Sequence, residues 1–254
     1  MLLLDPNYVK SIDVPPAVAD AVIAEIRNAI VDGTLPPGSR IKQEDLAARL
    51  RVSRAPIRHA LMALKRDGLV QIRHHRGAIV SPLDVVFMSD LYELREVIEG
   101  YVVARLAERA RFDPSPLWKI VTKGQRAVAS GDLNRIIDMD LSLHMSLCEA
   151  YGNRPLITVM EGLWWHFRRA FAATLSVSRY RKTVWDEHAA ILKAIAAEQP
   201  EEARAASIVH TQGARVVLLQ RLKEIFTEEA LVRRSSEKPR KRFLSRNDDA
   251  AVQA

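Results

Sequence analysis

The chain has 254 residues, 48% of them apolar, and a formal net charge of +7, which is room for two domains with ordinary cores. Its single cysteine, Cys148, excludes an intrachain disulfide and suits a reducing cytoplasm. No apolar run is long enough to span a bilayer, no long amphipathic basic helix accompanies the positive charge to suit a membrane surface, and Met1 to Asp5 is too short for a signal-peptide core.

In chain order, residues 1–15 read as an irregular arm ending at Pro15-Pro16. Val18, Val22, Ile26 and Ile30 recur at helical spacing and predict a helix over 18–31, ended by Gly33. Gln43 to Leu50 predicts a short helix, and Arg51-Val52-Ser53 is a link of helix-turn-helix length. The next stretch, Ser53 to Gly68, carries the most information. Ser53 suits an N-cap, Pro56 falls in the first turn, and Gly68 supplies the stop. Ile57, Leu61 and Leu64 form one apolar stripe. Arg54, Arg58 and His59 lie off that stripe near the N-terminal end, where a recognition helix meets the major groove of DNA. The alternative is an ordinary surface helix with solvated basic residues.

Beyond Gly68, Val70, Ile72 and Ile79 alternate around a turn carrying Gly77 and predict a β-hairpin. Its tip holds Arg73, His74, His75 and Arg76. A helix-turn-helix followed by a basic hairpin is a winged helix, whose tip would lie against phosphate or reach a minor groove. Charge supports this. From Arg40 to Arg76 ten Lys/Arg stand against three Asp/Glu, whereas from Leu83 to Phe226 nineteen stand against eighteen. The positive field is concentrated where a phosphate partner would bind.

From Met88 onward the pattern is wholly helical. Six helices are expected, at about 88–111, 114–129, 132–150, 154–178, 182–197 and 201–226, and short links should close them into an antiparallel bundle. Residues 227–254, with Arg233-Arg234 and the run Lys238 to Arg242, have the composition of a disordered basic tail. The expected chain is therefore mainly α. It comprises an arm (1–15), a winged helix-turn-helix domain (16–82), a linker (83–87), an all-α domain (88–226) and the tail.

Three predicted bundle helices each turn an ionisable group inward. Leu133, Ile137, Asp140, His144, Leu147 and Tyr151 form one seam; His188 sits between Val184 and Ile191; His210 shares a face with Ala203, Ala206 and Val217. Asp140 and His144 are four apart and stand on one helix face. Unpaired burial costs several kcal/mol, so these groups should meet. One carboxylate and three imidazoles would hold a divalent metal, with water or a ligand oxygen completing the set. Nitrogen and oxygen donors suit Zn²⁺, Ni²⁺, Mn²⁺ or Fe²⁺. Taken singly, each histidine reads better as a hydrogen-bonded core residue; it is their convergence that favours the metal. Arg95 is a candidate clamp for an effector carboxylate, with an i,i+4 ion pair to Glu99 as the alternative. Trp164, Trp165 and His166 are read without a role.

The motifs G-T-L-P-P-G-S-R-I (Gly33 to Ile41), L-A-A-R-L-R-V-S-R-A-P-I-R-H-A-L-M-A-L-K-R-D-G-L-V (Leu46 to Val70) and R-G-A-I-V (Arg76 to Val80) resemble the N-terminal domain of the GntR family of bacterial transcription regulators. The resemblance implies DNA contacts by Arg54 and Arg58, and a wing glycine, Gly77, at the DNA surface. Glu44 departs from it, since many relatives carry arginine there. The helical half resembles the ligand-sensing FCD-type domain of the FadR-like branch, with a VanR-like count of six helices. Metal-binding members carry D-x3-H, then E-H-x2-I, then a histidine in the last helix, which match Asp140 to His144, Glu187 to Ile191, and His210. The resemblance implies a cytoplasmic homodimer that binds a palindromic double-stranded operator and senses a small carboxylate. A metal-dependent hydrolase carrying a DNA-binding head is the alternative. It would need a general base at the metal, and Glu187 points some 100° away from His188 on a helix.

Overall fold

The computed structural model describes residues 16–73 and 77–236. Helix α1 (Pro16–Val31) buries Val22, Ile26 and Ile30. Val18, expected in that stripe, is 40% exposed. A four-residue spacing drifts by about 40° at each step, so Val18 stands about 120° round the helix from Ile30. Strand β1 (Arg40–Ile41) precedes α2 (Gln43–Leu50) and α3 (Arg54–Arg66). Arg51 takes the left-handed conformation, φ 54°, and ends α2.

Helix α3 buries Pro56, Ile57, Ala60, Leu61 and Leu64. Ser53 occupies its N-cap position with extended backbone, but its hydroxyl makes no capping bond. Gly68, at φ +72°, turns the chain out of the helix. Strands β2 (Val70–Arg73) and β3 (Gly77–Val80) form the expected antiparallel hairpin. The sequence reading missed β1, which pairs with β3 to give the order β1-β3-β2. Two residues are too few to show alternation.

The Asp84 carboxylate accepts the Phe87 N–H at 2.9 Å and caps α4 (Val85–Ala107). The helix thus takes up most of the stretch 83–87 expected as a linker. Next come α5 (Ser115–Ser130), α6 (Leu133–Tyr151), α7 (Arg154–Leu175), α8 (Ser178–Ala196) and α9 (Pro200–Ser236). Asp132 and Asn153 cap α6 and α7 through side-chain acceptors. Helix α9 runs ten residues past Phe226, where the sequence reading ended it. No Gly or Pro interrupts residues 214–238, so nothing there stops a helix. Residues 237–254 of the expected tail lie outside the described residues. No helix among the described residues is long and apolar enough to cross a membrane.

The bundle core fixes the positions of the inward histidines. Gly124 on α5 admits the Trp185 indole so closely that a Cβ there would meet it at 2.0 Å. Trp185 in turn lies edge-on to His188, with ring centroids 4.9 Å apart. A second core, built on Ile26, Ile57, Leu61, Leu64, Leu69 and Val80, holds the winged helix together.

Helix α7 joins the two cores, through residues to which the sequence reading gave no role. Trp165 packs against the core of the winged helix and lies under Arg27, 4.8 Å from ring centroid to guanidinium. Arg27 pairs with Asp67 at 3.0 Å. Burial lowers the pKa of His166, so its neutral Nε2–H donates to the Asp67 carbonyl at 2.8 Å, just past the end of α3. Arg169 donates to the Ser81 carbonyl at 2.8 Å.

Candidate metal centre and nucleic-acid interface

Three helices bring the predicted ionisable groups together. Asp140 and His144 come from α6, His188 from α8 and His210 from α9, and all four are at most 4% exposed. Ligand atoms of the three histidines lie within 4.8 Å of one another. Asp140 stands at the edge of the triad. Its Oδ1 is 3.5 Å from His188 Nε2 and its Oδ2 is 3.9 Å from His144 Nε2.

Two carboxylates that the sequence reading did not place here orient the rings. His144 Nδ1 lies 3.1 Å from Glu99 Oε1, and His210 Nδ1 lies 2.8 Å from Glu187 Oε2. With Nδ1–H donated outward, each ring turns an Nε2 lone pair inward, the tautomer a metal ligand needs. Glu187 was legible as the residue before His188; its service to His210 depends on the packing of α8 on α9. Glu99 was visible only as the i+4 partner of Arg95.

Arg95 makes the i,i+4 ion pair with Glu99 and also turns toward the histidines. Its Nε donates to Glu99 at 2.8 Å, and the pair is fully buried. Its Nη2 reaches His144 Nε2 at 2.6 Å and His210 Nε2 at 3.1 Å. A cationic group is thus already held by the imidazole lone pairs. Burial pushes the Glu99 pKa up, but the Arg95 charge, with hydrogen bonds from Arg95 and His144, outweighs it and holds the group ionised. Burial pushes His144 down, aided by Arg95, and pushes His188 down further, aided by His210 and His144. Both rings are therefore neutral, as metal binding requires. Burial raises the pKa of Asp140.

Among the described residues, Asp140 Oδ1 and both His188 nitrogens are buried without a hydrogen-bond partner. Buried polar atoms are nearly always paired, so Asp140 Oδ1 and the His188 Nε2 that faces it, beside the other two rings, fit a cation; the two nitrogens of one imidazole diverge, and only one can serve as ligand. The cavity beside them, bounded by Tyr92, Arg95, Phe171 and Tyr180, is about 10 Å³, space for about one water.

On the winged helix, Arg54, Arg58 and His59 are exposed on α3, away from its buried stripe. Arg54 pairs with Glu44 at 3.2 Å, with both side chains about two-thirds exposed. The residue that departs from the family pattern therefore sits against a predicted DNA contact. Arg73 is exposed at the end of β2, and its Nη2 donates to Gln71 Oε1 at 3.0 Å. Gly77 opens β3 at φ +72°, a conformation that suits glycine, with open space where a side chain would be. His75 and Arg76 lie outside the described residues.

Residues 18–80 match the family profile of bacterial regulatory proteins, gntR family, and residues 90–213 match the FCD domain. The chain belongs to the gntR family. The Nta operon transcriptional regulator of Aminobacter aminovorans is 26% identical to this gntR-family chain over 205 residues, 81% of this chain and 95% of that protein. An uncharacterized HTH-type transcriptional regulator of Mycobacterium tuberculosis is 40% identical over 88 residues, 35% of this chain; the match spans 36% of that relative's length. Among solved structures, a GntR transcriptional regulator from a Rhodococcus species superposes with TM-score 0.69 at 25% identity, covering 80% of this chain and 98% of the other. McbR/YncC of E. coli, at 20% identity and TM-score 0.68, shares the fold, covering 81% of this chain and 98% of its own.

Proposed function

We propose that this chain is a ligand-responsive DNA-binding transcriptional regulator, a repressor that binds a palindromic operator as a homodimer. One observation carries the reading. A single chain joins a winged helix with exposed Arg54 and Arg58 to a bundle whose buried histidines converge on one point. His144, His188, His210 and Asp140 would hold Zn²⁺, Ni²⁺, Mn²⁺ or Fe²⁺. A small organic acid would place its carboxylate at the metal and against Arg95. The 10 Å³ cavity has no room for it, so Phe171 and its neighbours must move. That movement is where effector affinity can differ between two arrangements of the chain, which a population shift requires.

The dimer would form on the outer side of the α4–α9 pair. Leu94, Val97 and Tyr101 on α4 and Val209 and Val216 on α9 are exposed there; Val97 is 70% exposed. Helical spacing puts each set on the flank of its helix away from the core. A second copy would cover both. Val97→Glu is expected to halve the mass seen by sedimentation equilibrium while leaving helicity unchanged. A mass equal to the parent's would place the interface elsewhere.

The relatives suit an operon-level role: one is named for the Nta operon, and another, from Bacillus licheniformis, is the gluconate operon transcriptional repressor. The hydrolase alternative is disfavoured because the Glu187 carboxylate is engaged by His210 and is not free as a base. The test is to select genomic fragments on the purified chain at near-physiological salt. Enrichment of one palindromic site is expected. Sequence-blind enrichment that vanishes with salt would reduce the winged helix to a nonspecific anchor.

A further inference from the structure

A cleft of about 640 Å³ opens between the winged helix and the bundle, and none of His144, His188 and His210 lines it. That volume is typical of a small-molecule site. The end of α3 contributes Asp67 and Gly68, α4 contributes Phe87 and Met88, and α7 contributes Gly162, Leu163, His166 and Arg169.

Arg169 is the unusual member. It is 6% exposed, and no carboxylate among the described residues pairs with it. Of its five N–H donors, the one with a protein acceptor reaches Ser81 O. Burial alone lowers its pKa to about 10, with no acidic neighbour opposing. The two rim carboxylates are engaged, Asp67 by Arg27 and Asp84 by the Phe87 N–H. Beside Arg169, His166 Nδ1 is buried with no partner among the described residues; with Nε2–H given to the Asp67 carbonyl it is an acceptor, which leaves Arg169 as the anion's partner. Buried charges are normally paired, so this arginine has room for an anion.

Gly162 adds a second sign. It lies inside α7, where glycine is a poorer helix former than alanine. A Cβ there would meet nothing within 4 Å, so packing does not call for glycine. Its bare backbone keeps the cleft open.

We infer that this cleft is a second small-molecule site, taking an organic monocarboxylate whose apolar body lies on Phe87, Met88 and Leu163 and whose carboxylate meets Arg169. An occupant would touch α3, α4 and α7 together, and so set how the recognition helix sits on the bundle. The inference is independent of the metal centre.

Benzoate is the probe, with benzamide as its uncharged counterpart, followed by calorimetry on the full-length chain and on His188→Ala. One benzoate per chain is expected, with a Kd on the order of 1 mM or tighter, in both proteins, and no benzamide binding. Arg169→Gln should weaken it about tenfold or more. Gly162→Leu, which adds a side chain to the lining without touching a charge, should weaken it by a similar factor. Three results overturn the site: no saturable binding, binding indifferent to both cleft substitutions, or benzamide binding equally well. Binding lost in His188→Ala but retained in Gly162→Leu would put the anion in the bundle, overturning the cleft while leaving the proposed regulator intact.

Discussion

His188→Ala, purified beside the parent chain, is expected to carry no divalent metal where the parent carries one per chain. His188 is chosen because nothing among the described residues bonds either of its nitrogens. A histidine kept for structure would have a partner, as His166 has in the Asp67 carbonyl. Removing His188 therefore breaks no hydrogen bond, and the loss reads on the metal. At a metal concentration of a hundred times Kd, binding stabilises the folded state by about 2.7 kcal/mol. For a chain of this size each kcal/mol moves the melting temperature by about 2–4 °C. A chelator should lower the parent's midpoint by roughly 5–10 °C and leave the variant's where it is. Glu187→Gln, which only unsettles the His210 ring, should weaken binding by about 10–100-fold. Elemental analysis and thermal melts check both, and metal content equal to the parent's in His188→Ala would sink the assignment.

Arg54→Ala and Arg58→Ala are each expected to weaken binding to the selected operator by about 1–3 kcal/mol, roughly 5- to 150-fold. Both side chains are exposed, so the melting temperature should not change. Arg54 must first give up Glu44, but an exposed ion pair is worth only about 0–1 kcal/mol and yields to a base contact. Fluorescence anisotropy at one stated salt concentration measures the loss. A uniform loss on operator and unrelated DNA would make these residues phosphate contacts, and no loss would contradict the recognition-helix assignment.

Legibility in the sequence followed the range of the interactions. Periodicity marked the buried face of α3, because Ile57, Leu61 and Leu64 repeat within one helix. Asp140 and His144 were legible as a pair for the same reason. His188 and His210 were legible as polar residues on apolar seams, and shared burial made their meeting expected. Glu99 and Glu187 were not legible as ring-orienting groups, because each serves a histidine on another helix. Trp165 and His166 carry no role in the sequence and Arg169 draws no reading there, although they hold the end of the recognition helix and the Ser81 strand exit. Their partners, Arg27, the Asp67 carbonyl and the Ser81 carbonyl, lie in the winged helix, and two of the three are backbone atoms that no side-chain pattern announces.

The amino-acid sequence by itself determined the winged helix, the helical bundle and the inward histidines. Those follow from hydrophobic period, caps and breakers, which act over a few residues. Only the tertiary structure decided that Arg95 bridges Glu99 to two imidazoles, that Asp140 and His188 keep orphaned atoms, and that α7 fastens the recognition helix to the bundle. Such contacts depend on how helices distant in sequence cross, and that is settled by packing two whole cores against one another.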